Sequence, residues 1–387
     1  VVAPTSPAAA AAQDRPPPQV AAPPVVAAPP AAAPAPAIPP AAPPAAAPPA
    51  TVMLLLPSQS TAFARAAEVV RQGFAAAQAA AAQPMTVRLV EVEDDPQQLL
   101  RAMSTARERG VDVIAGPLTR SQVSAALRAS PSVPMVTLSL PESEAGAPPS
   151  LLAFGLSIEQ EARAMVQAVV ATLMPARPGA PTRLNPRFVL LTGESTLSRR
   201  AGAAFRDALR SAGERVTAFT VEMKYEALQS LGDRVFRAEP EGVFLALDAR
   251  EAAIVRPRLP HDVPLFATSL VNLGGGESAL LANDLEGVHF VDVPWLLEAD
   301  HPAVMVYARS AQPLSAELQR LYALGIDAYR LADAWRSGAV RFGLDGVTGD
   351  LQVDRARDAR VERWPAFAVF RKGVIERIAV PRPGAPH

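Results

Sequence analysis

The chain has 387 residues, a formal net charge of −1 and no cysteine. Its length allows roughly two domains of about 150 residues and an appendage. The near-neutral charge gives no reason to expect nucleic acid or a strongly anionic surface as partner, and the missing thiols exclude disulfides, thiolate metal sites and cysteine nucleophiles without fixing the compartment.

Val1 to about Ala50 is almost entirely alanine and proline, with Asp14 and Arg15 its only charges. Proline removes backbone donors and alanine buries little surface, so the stretch reads as a disordered, partly polyproline-II tether. At about 3.1 Å per residue it could reach at most on the order of 150 Å. The chain starts at Val1 without methionine, which reads as a processed or trimmed form, one that leaves room for a signal peptide or a lipid-bearing cysteine just upstream. No apolar run reaches the 18 or so residues that span a bilayer. Lysine occurs only at Lys224 and Lys372; with so much alanine and proline, this reads as the mark of a GC-rich genome.

From Thr51 strands and helices alternate. Val52–Leu56 is an unbroken apolar run, the pattern of a strand buried on both faces. Phe63, Ala67, Val70, Phe74 and Ala77 then form one helical stripe, with Ser60 or Thr61 placed to cap its first turn. Strand Thr86–Val92, helix Pro96–Arg109, strand Val111–Ala115, helix Thr119–Ala129 and strand Pro134–Leu138 follow, which demands a parallel sheet with right-handed crossovers. A loop at Pro141–Ser150 leads into the segment Leu151–Ser157.

The rhythm then restarts: helix Glu159–Met174, strand Phe188–Thr192, helix Ser198–Ala212 closed by Gly213, strand Val216–Met223, helix Tyr225–Arg237, strand Gly242–Leu247, a short helix near Glu251–Arg258 and strand Pro264–Ala267. Gly287–Pro294 looks like a strand returning from one lobe to the other. Leu314, Leu318, Leu321, Gly325, Ala328, Ala332 and Trp335 mark one long helix. Gly343–Asp354 is turn-rich and ends in a short strand, and Ala366–Ala379 reads as a hairpin around Lys372-Gly373. The expectation is an α/β chain of two parallel-sheet lobes with a cleft and a hinge. Residues 1–50 form the tether, 51–155 lobe 1 (completed by about 288–340), 156–287 lobe 2 (completed by about 341–380) and 381–387 a tail.

Catalytic signatures are missing. No GxGxxG follows Leu56, Ala115 or Thr192, and GxxxxGK[ST], HExxH and GxSxG do not occur. His261, His289, His301 and His387 have no paired ligand spacing and read as surface or loop histidines. Asp94-Asp95 reads as a solvated pair, and Gly274-Gly275-Gly276 as a mobile loop. No metal, cofactor or catalytic residue is expected. What remains are short polar loops at the carboxyl ends of strands, where open α/β sheets bind ligands. They are Ser58-Gln59, Gly116, Pro117, Thr119 and Ser139 in the first lobe, and Gly193-Glu194, Asp248 and Thr268-Ser269 in the second. Hydroxyls and helix N-terminal amides facing a cleft suit a small ligand, particularly a carboxylate; capping and turning the chain are the competing roles.

Several strings, in order and spacing, resemble the type I periplasmic-binding-protein fold and, within it, the penicillin-binding protein activator family (LpoA-like or LppC-like lipoproteins). These are VMLLLPSQSTAFARAAEVVRQGFAAA at Val52–Ala77, VDVIAGPLTRSQVSAAL at Val111–Leu127, PMVTLSLPE at Pro134–Glu142, LLAFGLSIEQEARAM at Leu151–Met165 and PLFATS at Pro264–Ser269. The resemblance implies a periplasmic lipoprotein on the inner leaflet of the outer membrane that binds a class A penicillin-binding protein and stimulates its peptidoglycan synthesis without catalysis. The membrane contact it implies is an N-terminal lipid anchor that this chain does not contain. The activators carry a helical-repeat domain before this module, where this chain has the proline/alanine stretch. The other reading open at this point is a solute-binding protein that captures an amino acid or similar molecule for a transporter.

Overall fold

In the computed structural model, the described residues are 49–141, 148–174 and 187–383. The expected tether, apart from its last two residues, and the end of the expected tail lie outside them, as does His387.

The chain opens with β1 (Thr51–Leu56), α1 (Ala64–Ala80), β2 (Thr86–Glu91), α2 (Pro96–Ser104), β3 (Val113–Ala115), α3 (Arg120–Ala129), β4 (Met135–Val136) and β5 (Leu151–Leu152). After a first crossing at 153–157 come α4 (Ile158–Ala168), prolonged by a π-helical turn at Val169–Leu173, and then β6 (Phe188–Thr192), α5 (Thr196–Ser211), β7 (Val216–Thr220), α6 (Tyr225–Ala238), β8 (Gly242–Ala246), α7 (Ala249–Val255), β9 (Leu265–Ala267), α8 (Gly275–Leu281) and β10 (Val288–Asp292). The chain returns through the single turns α9 (Pro294–Leu297) and α10 (Pro302–Met305) to the long α11 (Ala316–Arg336). It finishes with β11 (Arg341–Asp345), β12 (Asp350–Asp354), β13 (Val361–Trp364), β14 (Ala366–Arg371) and β15 (Val374–Ile378).

The first sheet has the order β2-β1-β3-β4-β5, and every pairing in it is parallel. The second runs β15-β14-β10-β9-β8-β6-β7; β7, β6, β8, β9 and β10 are parallel, and the β14–β15 hairpin is added antiparallel to β10. Both sheets are covered on both faces, and the unbroken apolar strands show it directly. In β1, Val52, Leu54 and Leu56 pack with α1 and α11, while Met53 and Leu55 pack with α2 and α3. In β6, Val189 and Leu191 face α6 and α7, while Phe188 and Leu190 face α4 and α5. Alternate side chains thus enter opposite cores, which is why no polar residue interrupts either strand.

α1 and α11 meet at two glycines. A Cβ on Gly73 would stand 1.9 Å from the Tyr322 carbonyl oxygen, and one on Gly325 would stand 2.1 Å from that of Val70. The absent side chains let the two backbones touch, and Phe74 and Tyr329 pack edge to face beside that contact, with ring centroids 5.1 Å apart.

The structure departs from the sequence reading in several places. The strand within Gly287–Pro294 does not join the first sheet: β10 pairs with β9 and β14 inside the second, and its Val288 and Phe290 belong to that lobe's core. The crossing begins at its end, where Val293 and then Trp295 pack into the first lobe's core ahead of α11. Ser60 and Thr61 do not cap α1. The helix starts two to three residues later, its N-cap Phe63 has no side-chain cap bond, and the Ser60 backbone carbonyl accepts from Ala64 N at 2.8 Å. Gly275 and Gly276 open α8 and are not a loop. His289 lies on β10, half-buried, and burial pushes its pKa down. A three-stranded antiparallel sheet, β11-β12-β13, went unforeseen beyond its middle strand.

Candidate functional site

In the first sheet the strand order reverses between β1 and β3, and in the second between β6 and β8, so the loops leaving these strands form the expected ligand edges. Most of their polar groups are already engaged. Gly116 has φ +119, and a Cβ there would fall 2.2 Å from the Leu55 carbonyl oxygen. Its amide donates to Val136 O at 2.8 Å, and the Pro117 carbonyl accepts from Leu138 N at 2.9 Å. This loop is wedged between β1 and β4, with its main chain spent.

Thr119 is buried. It caps α3, with its Oγ1 3.5 Å from Gln122 N, and donates to Asp94 Oδ1 at 2.6 Å. Ser121 also donates to Asp94, and Asp95 caps α2 through Gln97 N at 2.9 Å. The acidic pair is therefore structural and not merely solvated. Ser139 is held by its backbone: its carbonyl accepts from Thr137 Oγ1 at 2.7 Å, and its Cα would lie 2.7 Å from a Cβ on Gly155 in the first crossing.

In the second lobe the Gly193 amide donates to Ala246 O at 3.0 Å, and a Cβ at this position would meet Glu251 Oε2 at 2.6 Å. Asp248 and Glu251 form a reciprocal capping box on α7. Burial, aided by the nearby Asp248 and Glu194 charges, raises the Glu251 pKa against the opposing hydrogen bond from the Asp248 amide. Thr268 is fully buried, with Oγ1 unpartnered. The Ser269 amide donates to Glu161 Oε2 at 3.0 Å, and its carbonyl accepts from Arg320 Nη2 at 3.1 Å. Besides Thr268, the side chains of Ser58, Gln59, Ser139, Glu194 and Ser269 carry no hydrogen bond among the described residues. The structure does not gather the candidates into one constellation; it distributes them over helix caps, strand ends and the junction between lobes.

That junction holds a buried polar assembly that sequence reading missed. Glu161 on α4 pairs with Arg363 on β13 at 3.4 Å, their side chains 5 % and 1 % exposed. Arg363 also donates to Thr348 O at 3.1 Å. Asp292, at the end of β10, receives Nε and Nη2 of Arg320 from α11 at 2.8 and 2.7 Å, together with Asn272 Nδ2 at 2.8 Å. Burial opposes the charge on Arg320, but Asp292 outweighs it and lifts the guanidinium pKa above its usual range. Asp327, also on α11, is fully buried and accepts from the Val347 and Thr348 amides and from Thr348 Oγ1. Its burial nevertheless raises its pKa against those donors and Arg330.

Glu159 stands two residues before Glu161, in the same first turn of α4. Burial would raise its pKa, but a two-point bond from Arg200 (2.8 and 3.0 Å) and a 2.6 Å bond from Ser157 hold it down at about 2. Arg120, at the start of α3 in the first lobe, reaches to 3.9 Å from the same carboxylate, so this acid faces both lobes. A signal was present for two of these residues: Asp292 and Asp327 are single charges inside otherwise apolar runs, and such a group is buried only when paired.

Among the described residues no cluster of histidine, cysteine or carboxylate side chains could hold a metal ion, and no acid, base and nucleophile converge. A groove of ≈ 360 Å³ on β11, β12 and the segment before β13, lined by Phe342, Gly343, Gln352 and Val353, includes none of the strand-end candidates.

The geometry can be set beside known proteins. The family model described as "LppC putative lipoprotein" matches residues 44–214 and 227–373. The penicillin-binding protein activator LpoA of Erwinia tasmaniensis is 27 % identical over 333 residues, 76 % of this chain and 49 % of that protein. The chain spans about half the length of the curated relatives it matches. A Chromobacterium violaceum structure, provisionally described as a branched-chain amino acid ABC transporter, superposes with TM-score 0.69 at 34 % identity and covers 83 % of this chain and 99 % of its own. The C-domain of Haemophilus influenzae LpoA, described as a regulator of PBP1A, superposes with TM-score 0.68 at 19 % identity over 85 % of this chain and all of that domain. The fold is thus the two-lobed α/β fold of periplasmic binding proteins, as expected from the sequence. With the match running through both sheets and the polar junction between them, the chain belongs to the LppC family.

Proposed function

We propose that this chain is the partner-binding module of a non-enzymatic periplasmic regulator, one that binds a class A penicillin-binding protein and activates its peptidoglycan synthesis. The observation that carries the reading is the LppC match over both lobes, with curated relatives named as penicillin-binding protein activators. Two further features support it. The polar groups at the strand ends are largely spent on caps and on the lobe junction, which leaves little to recognise a small ligand. No arrangement among the described residues suits catalysis. In this reading residues 1–50 serve as the tether, and a lipid anchor outside this chain holds the module to the inner leaflet of the outer membrane. The deciding experiment is a pull-down with the cognate class A synthase together with a glycan-polymerisation assay; no binding and no rate change would overturn the proposal.

A second reading, a solute-binding protein for a transporter, is favoured by the 34 % identity to the Chromobacterium chain. In it Ser58, Gln59, Ser139 and Glu194 form the free rim of the ligand site. A thermal-shift screen with amino acids separates the two, because a ligand at about 100 times its dissociation constant adds ~2.7 kcal/mol of stability. A reproducible shift with one small molecule supports the second reading.

A further inference from the structure

The near-zero net charge conceals a local asymmetry at the amino ends of the first sheet's strands, the side remote from the strand-end loops. Arg88 on β2, Arg101 on α2, Arg107 and Arg109 in the turns before β3, and Arg128 in the last turn of α3 are all exposed. None has an acidic partner among the described residues. Arg88 donates to the Arg109 carbonyl at 2.6 Å, and Arg107 donates to the Ser132 carbonyl. These bonds tie the arginines to one another's turns but use neutral acceptors, so the positive charges remain uncompensated and most of their N–H donors free. The interspersed acids are Glu108 and Asp112, and Asp112 is engaged by the Thr51 amide at 2.7 Å.

The strand order β2-β1-β3-β4 spreads the group over three strand spacings, a stripe about 14 Å across. It lies on the α2/α3 side, since Val90, which shares a face of β2 with Arg88, packs into that core. β1 starts at this same end, with the Ala50 carbonyl accepting from Thr86 N. The fifty residues that precede β1 therefore join the folded module beside the stripe.

We infer that this arginine stripe is an electrostatic docking surface for the anionic headgroups of a phospholipid bilayer. Guanidinium forks match phosphate oxygens, and a two-dimensional array of headgroups is met by a row of charges where a single small anion would be met by a pocket. A module whose N-terminal segment runs from this end would settle with the stripe against the lipid and its strand-end loops facing away. The stripe has no apolar wedge, so the contact is superficial and salt-sensitive. This inference does not depend on whether the strand-end loops serve a protein partner or a solute.

The test is sedimentation of the full chain with sucrose-loaded vesicles, of neutral phosphatidylcholine alone or with about a third phosphatidylglycerol. Binding is expected to the anionic vesicles only and to fall steeply between low and physiological salt. Each arginine near such a surface is worth about fivefold in partitioning. The triple variant Arg88→Gln/Arg107→Gln/Arg109→Gln should therefore bind on the order of 100-fold more weakly. Arg101→Gln/Arg128→Gln, which touches no hydrogen bond of the turns, should lose on the order of 25-fold with its melting temperature unchanged. A control with Arg206, Arg237 and Arg250 of the second lobe changed to Gln should bind as the parent does. Equal binding to neutral vesicles, no binding to anionic ones, or equal losses in stripe and control variants would each overturn the inference.

Discussion

Gly325→Ala puts the packing of the first lobe to a direct test. An alanine Cβ would stand 2.1 Å from the Val70 carbonyl oxygen and 2.9 Å from the Phe74 amide nitrogen, whereas close carbon–oxygen contacts need about 3.3 Å. Both obstructing atoms are backbone, so no rotamer change relieves the clash and α1 and α11 must part by about 1 Å. That loosens Phe74, Tyr322 and Tyr329, all buried at the contact. Overpacking of this kind costs about 1–3 kcal/mol and sometimes more, and the better helix propensity of alanine returns about 1 kcal/mol. With two backbone atoms in the way, a net loss of about 2 kcal/mol is expected. Urea unfolding followed by tryptophan fluorescence measures it, since Trp295 and Trp335 sit in the same core as the helix pair. Gly276→Ala is the control: it is a helical position with open space around it, and it should be neutral or stabilising by up to about 1 kcal/mol. Adding Gly73→Ala to Gly325→Ala should cost less than the sum of the two, because helices already parted accommodate the second methyl. A Gly325→Ala midpoint equal to or above that of the parent would refute the backbone-to-backbone account.

Glu161→Ala strands the buried Arg363 guanidinium and should cost about 3–5 kcal/mol in chemical denaturation, with Glu161→Leu/Arg363→Met recovering much of that loss. Thr268→Val removes a fully buried, unpartnered hydroxyl and should be neutral or stabilise by about 1 kcal/mol; a loss of similar size would mean that the hydroxyl is satisfied. Glu159 has a folded pKa of about 2, below its unfolded value, so its contribution is complete above about pH 4.5 and vanishes as pH falls through about 2. Its side chain keeps 24 % of its surface in solvent, so on the order of 2 kcal/mol survives screening. Urea midpoints from pH 5 to pH 2 should therefore fall more steeply for the parent than for Glu159→Gln, and identical slopes would contradict the assignment.

The regular elements were legible wherever one periodicity ruled. β6 was expected at Phe188–Thr192 and lies there, and the expected stripe lies on α11 from Leu318 to Trp335, with Leu314 just ahead of the Ser315 cap. The exit loops were legible in place but not in role. Thr119, Asp248 and Ser269 do stand at strand ends, yet a hydroxyl or carboxylate that caps a helix looks the same in sequence as one that waits for a ligand. The three-stranded sheet was obscured by brevity: Arg341–Asp345 alternates Phe342 and Leu344 with exposed Arg341, Gly343 and Asp345 over only five residues, and Val361–Trp364 is shorter still. β10 was assigned to the wrong lobe because an apolar strand carries no mark of which sheet receives it; tertiary packing decides. The junction escaped because its partners lie far apart in the chain: Glu161 and Arg363 are 202 residues distant, and neither predicts the other locally.

The pairing of α1 with α11 also fixes when the molecule can assemble. A chain delivered N-terminus first presents β1 and α1 early, but the helix that covers them arrives some 250 residues later, and the second sheet gains β14 and β15 only from the final stretch. Neither lobe can close on its own emerging segment, so long-range contacts must form before either core is sealed, the condition under which folding is slow. Until then the apolar faces of β1 and β10 stay uncovered and prone to wrong associations. A truncation that removes only the last twenty or so residues would strip the β14–β15 hairpin from β10 and leave Phe290 without its stacked partner Phe370. The β14–β15 hairpin is thus what completes the second sheet.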